Sequence, residues 1–258
     1  MNTLSTSPPA APLAPANIRS EWTRFASFLA RPHLPDDAVQ SHGAIGATLR
    51  MLALDLPIMV LLIGGLGVAA SMGFEVPDNA NNQLEPGLLT FALVALVVPL
   101  LEELAFRSWL NGRPWVIAMV VISLIGFLGV PALMTLLAQN AEPSPALITG
   151  PAIALIAAPL AAIFLFKRPV PGLFVRGFPL FFWFSTVAFA LVHLANYTNG
   201  FQPVLLLLVL PQFALGAMLG YLRVHYGLVS AVALHALHNG LLFSLAMAGK
   251  AAEASGAA

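Results

Sequence analysis

The residues best suited to chemistry are two adjacent glutamates and an arginine inside an apolar run: Glu102, Glu103 and Arg107. A charged side chain near the centre of a bilayer costs at least roughly 2.5 to 3.5 kcal/mol on insertion scales. Such groups are tolerated only when they have partners or line a wet cavity. The three side chains are therefore predicted to belong to a functional site.

Helical spacing predicts which two of these three charged residues pair and which one stays unpaired. Glu103 and Arg107 are four residues apart with the acid first, which is the favourable order for a salt bridge on one helix face. That pairing leaves Glu102, about 100° further round the helix, as the carboxylate free to act as a general base. In the alternative interpretation all three charges form one structural ion network without catalysis.

Two later apolar segments supply histidines. Phe189 and His193 share one helix face, and His235 and Asn239 share another, again at a spacing of four. Two imidazoles, a carboxylate and an amide oxygen would suit a divalent ion such as zinc that keeps a position open for water. The predicted ligands of that ion are His193, His235, Glu102 and Asn239.

The same residues also admit a mechanism without a metal. In that version Glu102 and His193 activate water, while His235 and Asn239 donate hydrogen bonds to the developing oxyanion. The sequence does not choose between the two mechanisms. His238, one turn from His235, is a second candidate for the working imidazole; His235 is favoured because it alone has an asparagine at the same-face spacing.

Membrane helices must position these residues, because 59% of the 258 residues are hydrophobic and only 9% are charged. The predicted fold class is all-α: a polytopic membrane helix bundle of about seven transmembrane helices plus an N-terminal interfacial helix. Seven apolar runs reach the length of about 20 residues that crosses a bilayer. They are Leu49–Met72, Leu88–Leu110, Val116–Ala138, Leu147–Phe166, Phe178–Ala195, Pro203–Leu222 and Leu228–Met247.

The chain divides into an arm over residues 1–45, rich in Pro, Ala and Ser, and a transmembrane domain over residues 46–250. Within the arm, Asn17–Ala30 carries apolar side chains at helical spacing. This predicts a short helix lying on the anionic cytoplasmic membrane surface, with a disordered linker as the alternative. The apolar side chains are Ile18, Trp22, Phe25 and Leu29.

Lysine and arginine mark one side of the membrane, because they precede the first run and follow the second, fourth and sixth runs. The positive-inside rule therefore predicts a multi-pass protein of the inner or plasma membrane with a cytoplasmic amino terminus. Lys250 is the one basic residue that this rule places on the outer side of the membrane. The apolar runs imply membrane lipids as partners, whereas the formal net charge of zero implies no acidic polymer such as nucleic acid. The absence of cysteine excludes thiolate sites.

An aspartate and several glycines in the apolar runs are given structural interpretations. Asp55 lies close to Arg50 and is interpreted as an interfacial residue that snorkels or pairs with it, rather than as a catalytic group. Several glycines are interpreted as points of close helix contact. They are Gly64, Gly65 and Gly67 in the first run and Gly216 and Gly220 in the sixth.

The three motifs, in this order, resemble those of the membrane-embedded CAAX protease and bacteriocin-processing family. Its eukaryotic relatives include the type II CAAX prenyl endopeptidase. The resemblance covers Leu88 to about Leu245, with Glu-Glu-three residues-Arg, then Phe-three-His, then His-three-Asn. The matching residues are Glu102, Glu103, Arg107, Phe189, His193, His235 and Asn239.

The resemblance implies an all-helical core around an internal cavity and endopeptidase activity on a peptide or lipid-modified peptide. It implies that Glu102 activates water with support from Glu103 and Arg107, and that His193, His235 and Asn239 bind a metal or stabilise the oxyanion. Metal dependence stays open, since both metalloproteases and glutamate-dependent proteases are described in the family.

One departure from the family concerns spacing. Here 90 positions separate Glu103 from His193, whereas the family usually passes almost directly from one motif to the next. The excess amounts to two membrane spans over about residues 116–166. An inserted pair preserves the sidedness of all later helices, and it could wall the cavity or create a different substrate gate.

Depth poses a conflict for the site. Glu102 falls to the cytoplasmic side of the middle of its run, and His193 falls near the outer end of its own, so they would lie roughly 10 Å apart along the membrane normal. We therefore expect the helix of His193 to extend past Asn196, to begin after Phe178, or to tilt.

Two other functions remain as alternatives. A proton-coupled transporter could use the Glu, Arg and His groups as a relay, but it would predict inverted repeats, and none is evident. A non-catalytic binding or immunity protein could share the same fold, and the intact set of polar residues argues against it.

Overall fold

The computed structural model describes residues 17–35, 43–133, 146–197 and 202–255. These residues form helices, joined at one point by an isolated antiparallel bridge between Asn79 and Tyr197. The all-α prediction is confirmed. In chain order the helices are α1 Ile18–Ala30, α2 Ala44–Ser71, α3 Leu88–Phe106, α4 Pro114–Leu133, α5 Ala146–Leu165, α6 Gly172–Arg176, α7 Phe178–Val192, α8 Leu205–Leu208, α9 Leu210–Tyr226 and α10 Leu228–Ala254.

Among the described residues, six helices are long and apolar enough to cross a membrane. They are α2, α3, α4, α5, α10, and α7 together with the 3₁₀ turn His193–Asn196 that follows it. The run predicted at Pro203–Leu222 instead divides into α8 and α9. The count of seven is therefore not confirmed, and the third predicted run beyond residue 133 lies outside the described residues.

Helix α9 is short because a proline restarts it. Pro211 stands in its first turn, where the missing N–H costs nothing, and the N-cap residue Val209 is outside helical geometry. Eleven of the 17 residues of α9 are buried, and α2, α7 and α10 pack around it. It forms the centre of the bundle rather than a lipid-facing span.

Helix α1 docks against the bundle through a buried carboxylate, that of Glu21. Arg50 donates to it at 2.9 Å, and the hydroxyls of Tyr221 and Tyr226 donate at 2.5 and 2.9 Å. Burial acts to raise the pKa of Glu21, but the hydrogen bonds from Tyr221, Arg50 and Tyr226 outweigh it and lower the pKa below its ordinary value of 4.5. The ionised form of Glu21 is therefore the one that stabilises the docked arm.

The predicted helix in the arm is confirmed, with Asn17 as its N-cap. The face that it buries differs from the prediction, because Ile18 is 49% exposed while Phe25 and Phe28 are buried beside Glu21. The hydrogen bonds to Glu21 turn α1 so that the face carrying Glu21, and not the face carrying Ile18, lies against the bundle. The location of α1 on a membrane surface stays a prediction, and residues 1–16 and 36–42 of the arm lie outside the described residues.

The two glycine groups behave differently. A Cβ on Gly220 would lie 2.7 Å from the ring of Phe182, and one on Gly216 would lie 3.0 Å from the guanidinium of Arg107, so close approach of α9 is confirmed there. A Cβ on Gly64, Gly65 or Gly67 would meet nothing within 4 Å in the described part of the chain. The interpretation of these three as contact points is wrong.

The substitution Gly220→Ala is expected to lower the free energy of unfolding by about 1 to 3 kcal/mol, because the added methyl overlaps a buried phenyl ring. Gly65→Ala is the matched control and is expected to be neutral or stabilising by up to about 1 kcal/mol. Thermal unfolding in detergent measures both. Equal effects of the two substitutions would contradict the packing of α9 against α7.

The substitution Glu21→Gln is expected to destabilise the protein at pH 7 by about 1 to 3 kcal/mol, since the carboxylate that accepts from Arg50 and two tyrosines is lost. The folded-state pKa of Glu21 is lowered, so its contribution is fully present above the ordinary glutamate value and disappears as the pH falls through the folded pKa. Melting temperatures of wild type and variant, measured from pH 7 downward, should therefore converge in acid. A difference that persists unchanged would refute this linkage.

Candidate active site

The helix that carries the glutamates is irregular one turn before them. Leu93–Val97 forms a π turn, in which the N–H of Val98 donates to the carbonyl of Leu93. The next residue, Pro99, has no N–H, so the carbonyl of Val94 lacks a donor within α3. The side-chain amide of Asn239 in α10 donates to that carbonyl at 3.1 Å. The asparagine of the third motif thereby ties α10 to α3.

The carboxyl end of α3 is fixed by an arginine side chain of α9. Arg223 of α9 donates to the carbonyls of Arg107 and Ser108 at 2.9 and 2.7 Å. The carbonyl of Arg107 also accepts from the N–H of Leu110 at 3.1 Å, and a cation at a helix C-terminus is electrostatically favourable. From the sequence, Arg223 serves only as a basic residue that marks the cytoplasmic side of the membrane.

A hydrogen bond sets the height of α7 against α3. Ser185, eight residues into α7, donates to the carbonyl of Phe106 at 2.6 Å. The helix begins at Phe178 and its 3₁₀ extension ends at Asn196, so the expectations of a later start or a longer helix are wrong. Instead α3 ends opposite the middle of α7. Because Glu102 lies only about 6 Å before that end, it reaches the level of the second motif.

The central feature of the site is the ion pair between Glu103 and Arg107, which the spacing predicted. Both side chains are completely buried, and Arg107 Nη1 donates to Glu103 Oε1 at 3.1 Å. The guanidinium lies 3.7 Å from the centre of the ring of Phe189, a cation–π contact. The absence of a side chain at Gly216 provides the room.

Glu103 also determines how His235 faces the second glutamate. His235 Nδ1 lies 3.0 Å from Glu103 Oε1, so the proton of this nitrogen is donated to the carboxylate. The other nitrogen, Nε2, lies 3.6 Å from Glu102 Oε2. Glu102 remains 23% exposed, while Glu103 is sealed behind it. The free carboxylate and the paired carboxylate are those that helical spacing assigned.

The predicted residues meet at one cavity of about 600 Å³. Glu102, His193, His235 and Asn239 all line it, together with Phe189. At the other end its lining includes Asn82 and Lys250, and the lysine ammonium donates to the carbonyl of Asn82 at 2.7 Å. Glu103 and Arg107 are not in the lining, so they act on the cavity through their neighbours.

Phe189 connects the polar groups of the second motif. It is fully buried, and its carbonyl is 2.8 Å from His193 Nδ1, so the ring of His193 donates there and turns Nε2 away. The aromatic ring lies edge-on to both His193 and His235, with centroids 4.8 and 5.6 Å apart. The phenylalanine of the motif therefore holds both imidazoles and the guanidinium in place.

Sequence reasoning missed one pair at this cavity. Asp55 is completely buried, and its Oδ2 lies 2.6 Å from Nδ1 of His238, which lines the cavity. The predicted pairing of Asp55 with Arg50 is wrong, because Arg50 is engaged by Glu21. An aspartate well inside an apolar run was the available signal; its partner is 183 residues away in sequence.

The described side chains give no support for the predicted metal set. In the described ranges, no group of three or more His, Asp or Glu side chains has the spacing to hold a metal ion. Glu102 and His235 supply two neighbouring donors, and the bonds at Nδ1 leave Nε2 as the remaining ring nitrogen of each motif histidine. The metalloprotease prediction is therefore unsupported.

The extra pair of helices lies beside the site. Neither α4 nor α5 contributes to the lining of the cavity around Glu102. Helix α4 instead borders a separate, almost wholly apolar cavity of about 580 Å³ with Trp109 and Phe181. The idea that the inserted hairpin walls the catalytic cavity is therefore wrong for the residues that the structure describes.

A carboxylate in the lining of a cavity, faced by an imidazole that a second carboxylate orients, has the chemistry of a general base toward water. Residues 84–241, more than half of the chain, match the family model described as type II CAAX prenyl endopeptidase Rce1-like, and the chain belongs to this family. The family and the six apolar helices indicate a multi-pass membrane protein of a CAAX-type protease family. No curated protein and no solved structure matches the chain.

Removing the cation of the buried pair is expected to destabilise the fold strongly. Arg107→Met leaves the carboxylate of Glu103 buried with only His235 to offset it, a loss of roughly 3 to 5 kcal/mol. The double variant Arg107→Met, Glu103→Gln should recover part of this loss, because the unpaired charge is gone. Thermal unfolding in detergent measures each variant, with the exposed Arg24→Met as control. A double variant that is less stable than Arg107→Met would disprove the charge-burial account.

Proposed function

We propose that the protein is an intramembrane endopeptidase in which Glu102 activates the water that attacks a peptide bond near the membrane interface. The observation that carries this proposal is the position of Glu102. It is the one carboxylate of the pair that lines the cavity, and an oriented imidazole nitrogen faces it at 3.6 Å. Membership in a CAAX-type protease family supports the same assignment.

The proposed water contacts both Glu102 and His235. Glu102 Oε2 and His235 Nε2 are 3.6 Å apart, which is longer than a direct hydrogen bond, and a water beside the line that joins them can hydrogen-bond to both. With its Nδ1 proton donated to Glu103, neutral His235 presents a lone pair at Nε2. The water therefore has two acceptors for its protons, and both make its oxygen a stronger nucleophile.

In the attack, the water oxygen bonds to the carbonyl carbon and Glu102 takes the proton. Collapse of the tetrahedral intermediate breaks the C–N bond, and the protonated Glu102 returns that proton to the leaving amine. Atoms and charge balance without any other reactant. Glu103 and Arg107 do not exchange protons in this scheme; they hold His235 in place.

The oxyanion requires donors on the opposite side of the scissile carbonyl. Asn239 uses one N–H for the carbonyl of Val94, which leaves a second N–H for the oxyanion. His193 has its Nδ1 engaged by Phe189, so its Nε2 is the nitrogen available to the cavity and donates when the ring carries both protons. We assign these two residues to oxyanion stabilisation.

The shape of the cavity favours an extended peptide as substrate. Along α10 the lining runs from His235 to Lys250, a rise of about 22 Å for 15 residues. This length accommodates about six or seven residues of extended chain. The family description names a prenyl endopeptidase, and on that basis we propose a peptide or lipid-modified peptide, cut in a cell membrane with the amino terminus of the enzyme in the cytoplasm.

The decisive experiment compares wild type and Glu102→Gln on a synthetic peptide library in detergent, with and without a chelator. Loss of the base is expected to lower kcat by 10² to 10⁴-fold, about the range for general-base catalysis, while the chelator has no effect. Ser244→Ala, on an exposed part of α10 outside the cavity, serves as the control and should retain full activity.

Each other outcome identifies another mechanism or function. Inhibition by the chelator would restore the metal-dependent version. Unchanged cleavage by Glu102→Gln would remove Glu102 as the base. A folded wild type that cleaves no peptide would instead favour the transporter or non-catalytic alternative.

A further inference from the structure

A second carboxylate–imidazole pair, Asp55 and His238, lies next to the proposed active site, and the proposed hydrolysis uses neither residue. Asp55 Oδ2 is 2.6 Å from His238 Nδ1. The other carboxylate oxygen of Asp55 is buried and has no hydrogen-bond partner in the part of the chain that the structure describes. His238 itself lines the cavity that contains Glu102.

The bond to Asp55 decides which nitrogen of His238 remains available. A carboxylate accepts a proton donor, so Nδ1 carries the hydrogen and Nε2 of the neutral ring carries a lone pair. Burying a carboxylate among apolar helices is costly. An amide or hydroxyl would join α2 to α10 at a smaller cost, and it would not fix a histidine tautomer at the cavity wall.

An extended peptide inside the cavity needs acceptors for its backbone N–H groups, because an unsatisfied N–H away from water is costly. His238 lies three residues after His235, a rise of about 4.5 Å along α10. An extended chain advances about 3.3 Å per residue. A peptide that runs along α10 therefore passes His238 one or two residues from the bond at which Glu102 and His235 hold water.

We propose that Nε2 of His238 accepts a hydrogen bond from a backbone N–H of the bound peptide, one or two residues from the scissile bond, and that Asp55 is the residue that positions it. This inference rests on the proposed endopeptidase function. It makes His238 a substrate-binding residue and gives the buried aspartate a role in substrate recognition.

The test removes single N–H groups from the substrate. A peptide that the wild type cleaves is resynthesised with an ester in place of one amide at a time, leaving the scissile bond intact. In the wild type, one ester within two residues of that bond is expected to raise KM by roughly threefold to tenfold, with kcat changed less than twofold. His238→Asn keeps a donor for Asp55 but loses Nε2, so it should show the higher KM with the all-amide peptide and no further loss with that ester.

Asp55→Asn measures the positioning role. It releases the tautomer of His238, so the difference in KM between amide and ester peptides should shrink without a large change in kcat. Ser244→Ala is the control and should keep the full difference. A purely structural role for the pair would lower the melting temperature and slow cleavage of every peptide alike, leaving the amide-to-ester ratios unchanged.

Several results would overturn the inference. The absence of any sensitive N–H position in the wild type would do so without a variant, and so would an unchanged ester effect in His238→Asn. Should His238→Asn fail to fold, the wild-type ester series and Asp55→Asn still decide. If Glu102→Gln abolishes cleavage but the amide-to-ester ratios in KM do not change in the variants, only this inference fails. If the folded wild type cleaves no peptide, both the proposed function and this inference fail.

Discussion

The structure depends on one buried ion pair, Glu103 with Arg107. Withdrawing two opposite charges from water costs several kcal/mol each, and their attraction offsets this only when the geometry is good and additional partners are present. Here those partners are His235 on the carboxylate and the face of Phe189 on the guanidinium. Each of them belongs to a different helix, so satisfying one ion pair brings α3, α7 and α10 together.

The same ion pair fixes the chemistry of its neighbour. Because Glu103 accepts a hydrogen bond from Nδ1–H of His235, Nε2 is the nitrogen that faces Glu102. The two adjacent glutamates thus differ because of their surroundings alone: one is sealed and structural, and the other is open to the cavity. One turn further along α10, Asp55 orients His238 in the same way, so two buried carboxylates orient two histidines on one wall.

Spacing along single helices could be read from the sequence, and contacts between helices could not. The pairing of Glu103 with Arg107 follows from a spacing of four, and the structure contains it. The partner of Asp55 could not be found, because sequence proximity favoured Arg50 and nothing local indicated that Glu21 would occupy that arginine. Long-range polar pairs are chosen by packing, which no periodicity encodes.

The predicted conflict in depth has the same origin. Assigning each run to a full crossing placed Glu102 and His193 at different heights, because the centres of the two helices were assumed to be level. The hydrogen bond from Ser185 to Phe106 instead sets the end of α3 opposite the middle of α7. The relative height of two helices is a tertiary property, and hydropathy carries no information about it. Similarly, the burial of most of its residues makes α9 a central helix of the bundle, which hydropathy alone does not indicate.

These contacts explain how the chain can carry an additional hairpin between two parts of one site. Helix α7 reaches α3 directly, through Ser185 on Phe106 and through the edge-on contact of Phe106 with Phe189. The site therefore does not depend on the path that the chain takes between α3 and α7. Helices α4 and α5 pack mainly on each other, with Gly126 and Gly150 allowing their backbones to approach. A hairpin crosses the membrane twice and returns the chain to the same side, so α7 enters the bundle with the direction that its contacts require. The contacts of the candidate site thus constrain where α3, α7 and α10 meet, and they do not constrain the length of the connection between α3 and α7.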